Sequence, residues 1–248
     1  MNRILVPYHL DEHLAGLDIP SAPSTVVTAE LPDGSIWERL TVLYDHVAET
    51  VGTIVAGGGR PEVYSGDCTT SLGVVAGLQR AGIAPAIVWF DAHGDVQTVE
   101  TTASGYIGGM PLRVLTGYRP ELIATGLGLR PVPETDVLLV DARDLDPPEA
   151  AYLESSAITV RPVSEIAAGV LPDGPIYLHL DLDVASPDDV PGLRFPVPGG
   201  PSLAEVMGAA AAIVATGRVV AVGIACTWYP GHRSAEILRP FTDDLLGA

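Results

Sequence analysis

A series of short apolar runs, each ending in polar or acidic residues, constrains this chain more than any other feature. They are Ile4 to Tyr8, Glu62 to Tyr64 before Ser65-Gly66-Asp67-Cys68, Ala86 to Phe90 before Asp91, Val137 to Val140 before Asp141, Ile176 to Leu180 before Asp181, and Val219 to Ala225 before Cys226. Unbroken runs rich in Val and Ile suit strands buried on both faces. Helical patterns lie between them. Ile36 to Ala56 carries Leu40, Leu43, Val47 and Val51 at helical spacing, and Thr70 to Arg80 reads as a second helix opened by Thr69 or Thr70. Ser202 to Thr216 begins with the Ser202/Glu205 capping-box pattern and stops at Gly217. This alternation predicts an α/β protein with a mostly parallel sheet and helices on both faces. Ligands in such folds bind at the C-terminal ends of the strands, where the acidic residues fall.

Composition narrows the function. With 248 residues, 47% of them hydrophobic, the chain can bury one sizeable core, so residues 1–248 read as one domain. A net charge of -18 repels nucleic acid and anionic lipid and leaves acidic groups for cations, although a merely soluble acidic protein has the same balance. No apolar stretch reaches the roughly 18 residues of a membrane span. The first residues lack the form of a signal peptide. Cys68 and Cys226 are too few for a disulfide framework. The expectation is a cytoplasmic protein with free thiols and neither nucleic acid nor membrane as partner.

The chemistry concentrates in Asp91-Ala92-His93-Gly94-Asp95 and Asp181-Leu182-Asp183. If extended geometry persists beyond Phe90, residues two apart share a face and Asp91, His93 and Asp95 converge. Carboxylates gathered at strand ends repel one another unless cations lie among them, and oxygen-rich ligation with some imidazole suits Mn, with Zn or Fe as softer options. The alternative is that each Asp caps a turn after its strand.

These motifs, with Ile4-Leu5-Val6-Pro7-Tyr8-His9-Leu10-Asp11, Ser104-Gly105, Gly109-Met110-Pro111 and Pro196-Val197-Pro198-Gly199-Gly200, resemble the arginase (ureohydrolase) family across nearly the whole chain. The resemblance implies a three-layer α/β/α fold and two Mn2+ per chain. Asp91, Asp95 and Asp181 are implied as shared ligands, with His93 and Asp183 completing the set. It also implies hydrolysis of a guanidino amino acid by a hydroxide that bridges the metals.

Departures from the family matter as much. Cys68 stands at a ligand position that the family gives to His. It reads either as a thiolate ligand or as a small buried hydrophobe. Gly108 stands where the family has a His for proton transfer, and Cys226 where it has a Glu for the guanidinium. Asp146 and Glu149 match the residues that hold the α-amino group, or else form a solvated turn before a helix. Ser104 matches a carboxylate contact, with Gln97 and Tyr106 as altered neighbours. An intact amino-acid end and a rebuilt guanidino end point to a guanidine hydroxylated on its terminal nitrogen. The thiolate position, the missing proton shuttle and the retained amino-acid clamp together resemble the hydroxyarginine-cleaving branch of the family, a resemblance that implies hydroxyurea and L-ornithine as products and a place in D-cycloserine biosynthesis.

His179 and His232 are the candidates for a replacement proton shuttle; the plainer readings are a hydrogen-bonded residue behind the metals and a surface histidine. His9, His13 and His46 read as structural or exposed. An arginase, an agmatinase or a non-catalytic metal- or ligand-binding relative are the competing functions. The short stretch after the last apolar run suggests a monomer.

Overall fold

The computed structural model describes residues 2–166 and 168–246. The described residues form ten strands and seven α-helices. The strands are β1 (Asn2–Val6), β2 (Tyr8–His9), β3 (Glu12–His13), β4 (Thr25–Val26), β5 (Pro61–Ser65), β6 (Ala86–Asp91), β7 (Val137–Asp141), β8 (Thr159–Arg161), β9 (Ile176–Asp181) and β10 (Val219–Ala225). The helices are α1 (Ile36–Ala56), α2 (Ser71–Arg80), α3 (Pro111–Leu115), α4 (Ala124–Leu127), α5 (Pro147–Ser155), α6 (Leu203–Val214) and α7 (Ser234–Leu246).

Eight strands form one sheet in the order β4-β1-β5-β10-β9-β6-β7-β8, parallel throughout. Every residue of β5, β6 and β9 is buried, as expected of strands covered on both faces. The edges are short: β4 has two exposed residues and β8 three residues, which limits edge-to-edge pairing. Alternation along the strands separates two cores. Ile87, Trp89, Leu139 and Tyr177 pack with α1, α2 and α3 on one face, while Val88, Phe90, Leu178, Leu180 and Ile224 pack with α6 and α7 on the other. The three-layer α/β/α architecture follows directly from this period of two. No described helix is long and apolar enough to cross a membrane.

Local chemistry sets the element ends. Ser35 caps α1 with Glu38 in a reciprocal capping box, and Ser202 does the same for α6 with Glu205. The first apolar run does not continue to Tyr8 as one strand. It breaks at Pro7, which has no N–H to give, and Tyr8 joins β2 in a separate antiparallel hairpin with β3. Thr70 stands at the N-cap of α2 as expected, but its side chain makes no capping hydrogen bond. Asp67 accepts from the Thr69 N–H at 2.8 Å, a 3-10 turn spans Cys68–Thr70, and α2 starts at Ser71.

Candidate metal centre

From β5 the chain crosses to β6 on the far side of a gap that β9 and β10 later fill. Open α/β sheets bind ligands at such reversals, outside the carboxyl ends of the strands. There, a cavity of about 160 Å³ collects Cys68, Asp91, His93, Asp95, Asp181 and Asp183. Asp91 ends β6, Asp181 ends β9, and Cys68 follows the β5 end.

Two groups of ligand atoms, each within 4.8 Å, lie at the cavity floor. One joins Cys68, Asp91 and Asp181; the other joins Asp91, His93 and Asp183. Asp91 belongs to both, so two cations placed here would share it. The Cys68 thiol donates to Asp181 Oδ2 at 2.8 Å. His93 Nδ1 lies 3.3 Å from Asp91 Oδ1 and 3.2 Å from Asp183 Oδ2. The carboxylates are held from behind: Trp89 Nε1 donates to Asp91 at 3.1 Å, Thr227 Oγ1 to Asp181 at 2.8 Å, and the Ala92 N–H to Asp183 at 3.2 Å.

Asp95 reaches the cavity by a different route from the extended one expected. The strand ends at Asp91, and Asp95 takes φ 54°, a left-handed conformation that Asp tolerates better than most residues. Its Oδ2 is buried without a hydrogen-bond partner, and it stands outside both three-residue groups.

The electrostatics are those of a site built for cations. Burial, then the Asp91 charge, pushes the Asp95 carboxyl well above the usual carboxylate range. Asp181 moves the same way through burial and Asp183, and Asp183 is pushed up to about 6 by burial and Asp91. At Asp91 burial acts upward too, but the contacts from His93 outweigh it and hold its pKa below the ordinary value. His93 is pushed up to about 12: burial opposes its charge, yet Asp183 and Asp91 prevail. Burial and the charges of Asp181, Asp95 and Asp91 keep the Cys68 thiol protonated. Bound cations would reverse these shifts, because a coordinating thiol or carboxylate gives up its proton. The orphaned Asp95 oxygen and the mutual repulsion of four aspartates therefore fit a divalent pair.

The Arginase family profile matches residues 9–227. The chain belongs to the Arginase family. The arginase of Bacillus subtilis (strain 168) is 34% identical over 175 residues, a match that covers 65% of this chain and 59% of that relative. The chain thus spans under two thirds of the length of that Bacillus arginase. The N(omega)-hydroxy-L-arginine amidinohydrolase of Streptomyces lavendulae is 29% identical over 222 residues, covering 88% of this chain and 76% of that protein. The native arginase structure from Bacillus caldovelox superposes with a TM-score of 0.84 at 23% identity, covering 100% of this chain and 98% of that one, which establishes the shared fold.

The family pattern around the floor is propped by Arg143. It pairs with Asp141 and donates to the carbonyls of Asp183 at 3.2 Å, Val184 at 2.9 Å and Val197 at 3.1 Å. The Pro196 to Gly200 motif serves this clamp. A Cβ on Gly200, at φ 90°, would stand 2.6 Å from Arg143 Cζ.

At the mouth, Gln97, Ser104, Tyr106, Asp146 and Glu149 all line the cavity. Gln97 Nε2 donates to Asp146 Oδ2 at 2.7 Å, and Ser104 Oγ accepts from the Tyr106 N–H at 3.2 Å. Asp146 is the residue before α5, but its partner Glu149 is buried, not solvated. Glu149 accepts from the Val96 N–H at 3.2 Å and the Asp146 N–H at 3.1 Å.

Three of the residues picked from the sequence do not line the cavity. Cys226 points into the apolar core with Leu180 and Ile224, and Thr227, one position on, faces the cavity instead. His179 is buried behind the site, stacked on Trp89 at 3.7 Å, with Nδ1 3.0 Å from Ser71 Oγ. Burial pulls its pKa down to about 3, against a smaller opposite pull from Asp91, so the ring is neutral at physiological pH. His232 is exposed and packs near Gly192. Conversely Asp67, Phe195 and Thr227 line the cavity without having been singled out, and His9 reaches its edge through Tyr106. Of these, only Thr227 had a usable signal, the two-residue alternation beyond Ala225.

Proposed function

We propose that this protein is a binuclear manganese amidinohydrolase that cleaves Nω-hydroxy-L-arginine to hydroxyurea and L-ornithine. The observation that carries the reading is Cys68, whose sulfur stands in a ligand group with Asp91 and Asp181. Once ionised, Cys68 with Asp91, Asp95, Asp181 and Asp183 carries five negative charges against the four positive charges of two divalent cations. Hydroxylation lowers guanidine basicity, so the group can bind in its neutral form and needs no carboxylate of its own to pair with. The side chain facing the cavity after β10 is Thr227, not a carboxylate, and its hydroxyl is already given to Asp181. The broad match to the S. lavendulae amidinohydrolase supports the same reading. Four carboxylates with one imidazole suit Mn2+, while the single Cys68 thiolate leaves Zn or Fe as the softer options.

Asp91, His93, Asp181, Asp183, Cys68 and Asp95 would hold the cations, which supply an activated water when bound. Asp146 and Glu149, at the acidic side of the mouth, would meet the α-amino group, and Ser104 and Gln97 the α-carboxylate. The amino acid is then fixed with its guanidino carbon toward the floor, which lowers the entropic cost of reaction.

The test is direct. Purified protein loaded with Mn2+ is offered L-arginine, Nω-hydroxy-L-arginine and agmatine, and released ornithine, hydroxyurea, urea and putrescine are measured. Hydroxyarginine is expected to give the highest kcat/KM. A preference for arginine or agmatine overturns the substrate assignment, and no turnover of any of the three overturns the enzyme reading.

A further inference from the structure

Hydrolysis of a guanidino group requires protons to be moved, and one pair of residues at the cavity is arranged to move them; this inference rests on the amidinohydrolase reading above. The oxygen of water bonds to the guanidino carbon, and the bond from that carbon to the side-chain nitrogen breaks. For a neutral guanidine, one water proton ends on the leaving nitrogen and the other on the nitrogen that had been doubly bonded to carbon. A group that accepts a proton early and returns it late serves this chemistry.

Most polar side chains around the cavity are already committed. His93 is tied to Asp91 and Asp183, Thr227 gives its hydroxyl to Asp181, and Gln97 donates to Asp146. Thr102 and Ser104 pair with each other on an exposed loop. Tyr106 differs. Its phenol oxygen lies 3.2 Å from His9 Nε2, and His9 Nδ1 lies 2.9 Å from the Gly66 carbonyl oxygen. A carbonyl only accepts, so Nδ1 carries the hydrogen and Nε2 of the neutral ring presents a lone pair to the phenol. Carbonyl, imidazole and hydroxyl in series form an oriented base acting on a hydroxyl.

The position of the phenol is as specific as its partner. A Cβ built on Gly108 would fall 2.3 Å from the Tyr106 oxygen and 2.2 Å from its Cζ. The phenol thus fills space beside the cavity that only a glycine at 108 leaves open. The His9 and Tyr106 rings stack at 5.9 Å, and Phe195 lies 5.2 Å from Tyr106 and 6.4 Å from His9.

We propose that Tyr106 is a catalytic residue that relays a proton from the attacking water to the leaving nitrogen, with His9 as its positioning residue. The phenol oxygen takes a proton from the water while passing its own to His9 Nε2. The two transfers reverse as the carbon–nitrogen bond breaks, so the phenol and the neutral imidazole are both restored.

The experiment compares wild type, Tyr106→Phe, His9→Phe, Tyr106→Ala and the double variant Tyr106→Ala/Gly108→His. Read-outs are kcat and KM on the best guanidino substrate, bound Mn2+ per chain, and calorimetric affinity for L-ornithine. Tyr106→Phe is expected to lower kcat by about 10²-fold or more, with KM, Mn2+ content and ornithine affinity within about threefold of wild type. His9→Phe keeps the ring stack and is expected to lower kcat by about tenfold. The double variant is expected to recover about tenfold or more over Tyr106→Ala, because an imidazole at 108 enters the vacated space. Wild-type kcat in Tyr106→Phe, or a parallel loss of Mn2+ or ornithine binding, overturns the relay and leaves the amidinohydrolase reading intact. A double variant no faster than Tyr106→Ala also overturns it. An inactive wild type fails the amidinohydrolase reading first.

Discussion

At the floor of the cavity, Asp91, Asp181 and Cys68 follow directly from the ends of β6, β9 and β5, whereas at its mouth Gln97, Ser104, Tyr106 and Phe195 ride on loops. The floor residues inherit their positions from a sheet register fixed along whole strands, such as Phe90 against Leu180 and Ala225 against Asp181. A slip by one residue would reverse every side chain. The mouth residues are held by a few local contacts, among them Ser104 to the Tyr106 N–H and Thr101 to Gln97 at 2.8 Å. In the reading proposed above, cation binding belongs to the rigid end, and contact with the amino-acid part of the substrate to loops that can be edited without disturbing the sheet.

The largest effect should come from the floor residue common to both ligand groups. Asp91→Ala is expected to leave fewer than two cations per chain by elemental analysis and no measurable turnover. Two full cations in that variant would break the comparison, since the floor would then tolerate editing. Replacing Cys68 with Ser is expected to lower cation occupancy by about 10- to 100-fold in apparent affinity, the range seen when a metal's environment is perturbed. Cys68→His should keep two cations and shift preference from hydroxyarginine toward arginine. At the mouth, Ser104→Ala is expected to raise KM by about 2- to 13-fold with kcat nearly unchanged, as for the loss of one ordinary hydrogen bond. An equal loss in kcat would place Ser104 in the transition state and blur the division.

The floor should also respond to pH. Asp183 is pushed up to about 6, above an unfolded value of about 3.9. An acid shifted upward stabilises the fold while protonated, and that contribution is lost as pH rises from about 4 through about 6. Cation-free protein should therefore lose thermal stability over this interval, and added Mn2+ should raise Tm more at pH 7.5 than at pH 5. Equal Mn2+ effects at both pH values would remove the carboxylate charge from the account. The smallest change is expected for His232→Ala, an exposed residue outside the cavity, with kcat/KM within about twofold of wild type.

Much of the floor was legible because period-two patterning and a terminal acid are properties of single segments. Asp91 and Asp181 followed from the runs that precede them. Asp95 was named through an extended path that the chain does not take, since a left-handed turn after His93 is set by the fold around it. Cys226 was named where Thr227 faces the cavity, because the resemblance was carried past the strand end without following which side chains alternate inward. The pairing of His9 with Tyr106 joins residues 97 positions apart. No local pattern encodes it, and a glycine at 108 signals only a missing side chain until the ring that fills its space is seen.

Strand β10 lies between β5 and β9, although it is the last strand in the sequence. Cys68 and Asp181 thus belong to two halves of a sheet that stay unjoined until a late segment is inserted between them. Assembly waits on long-range pairing, which is slow. During synthesis the growing chain would expose two bare strand edges, prone to mispairing, before it could offer a complete cage for an ion.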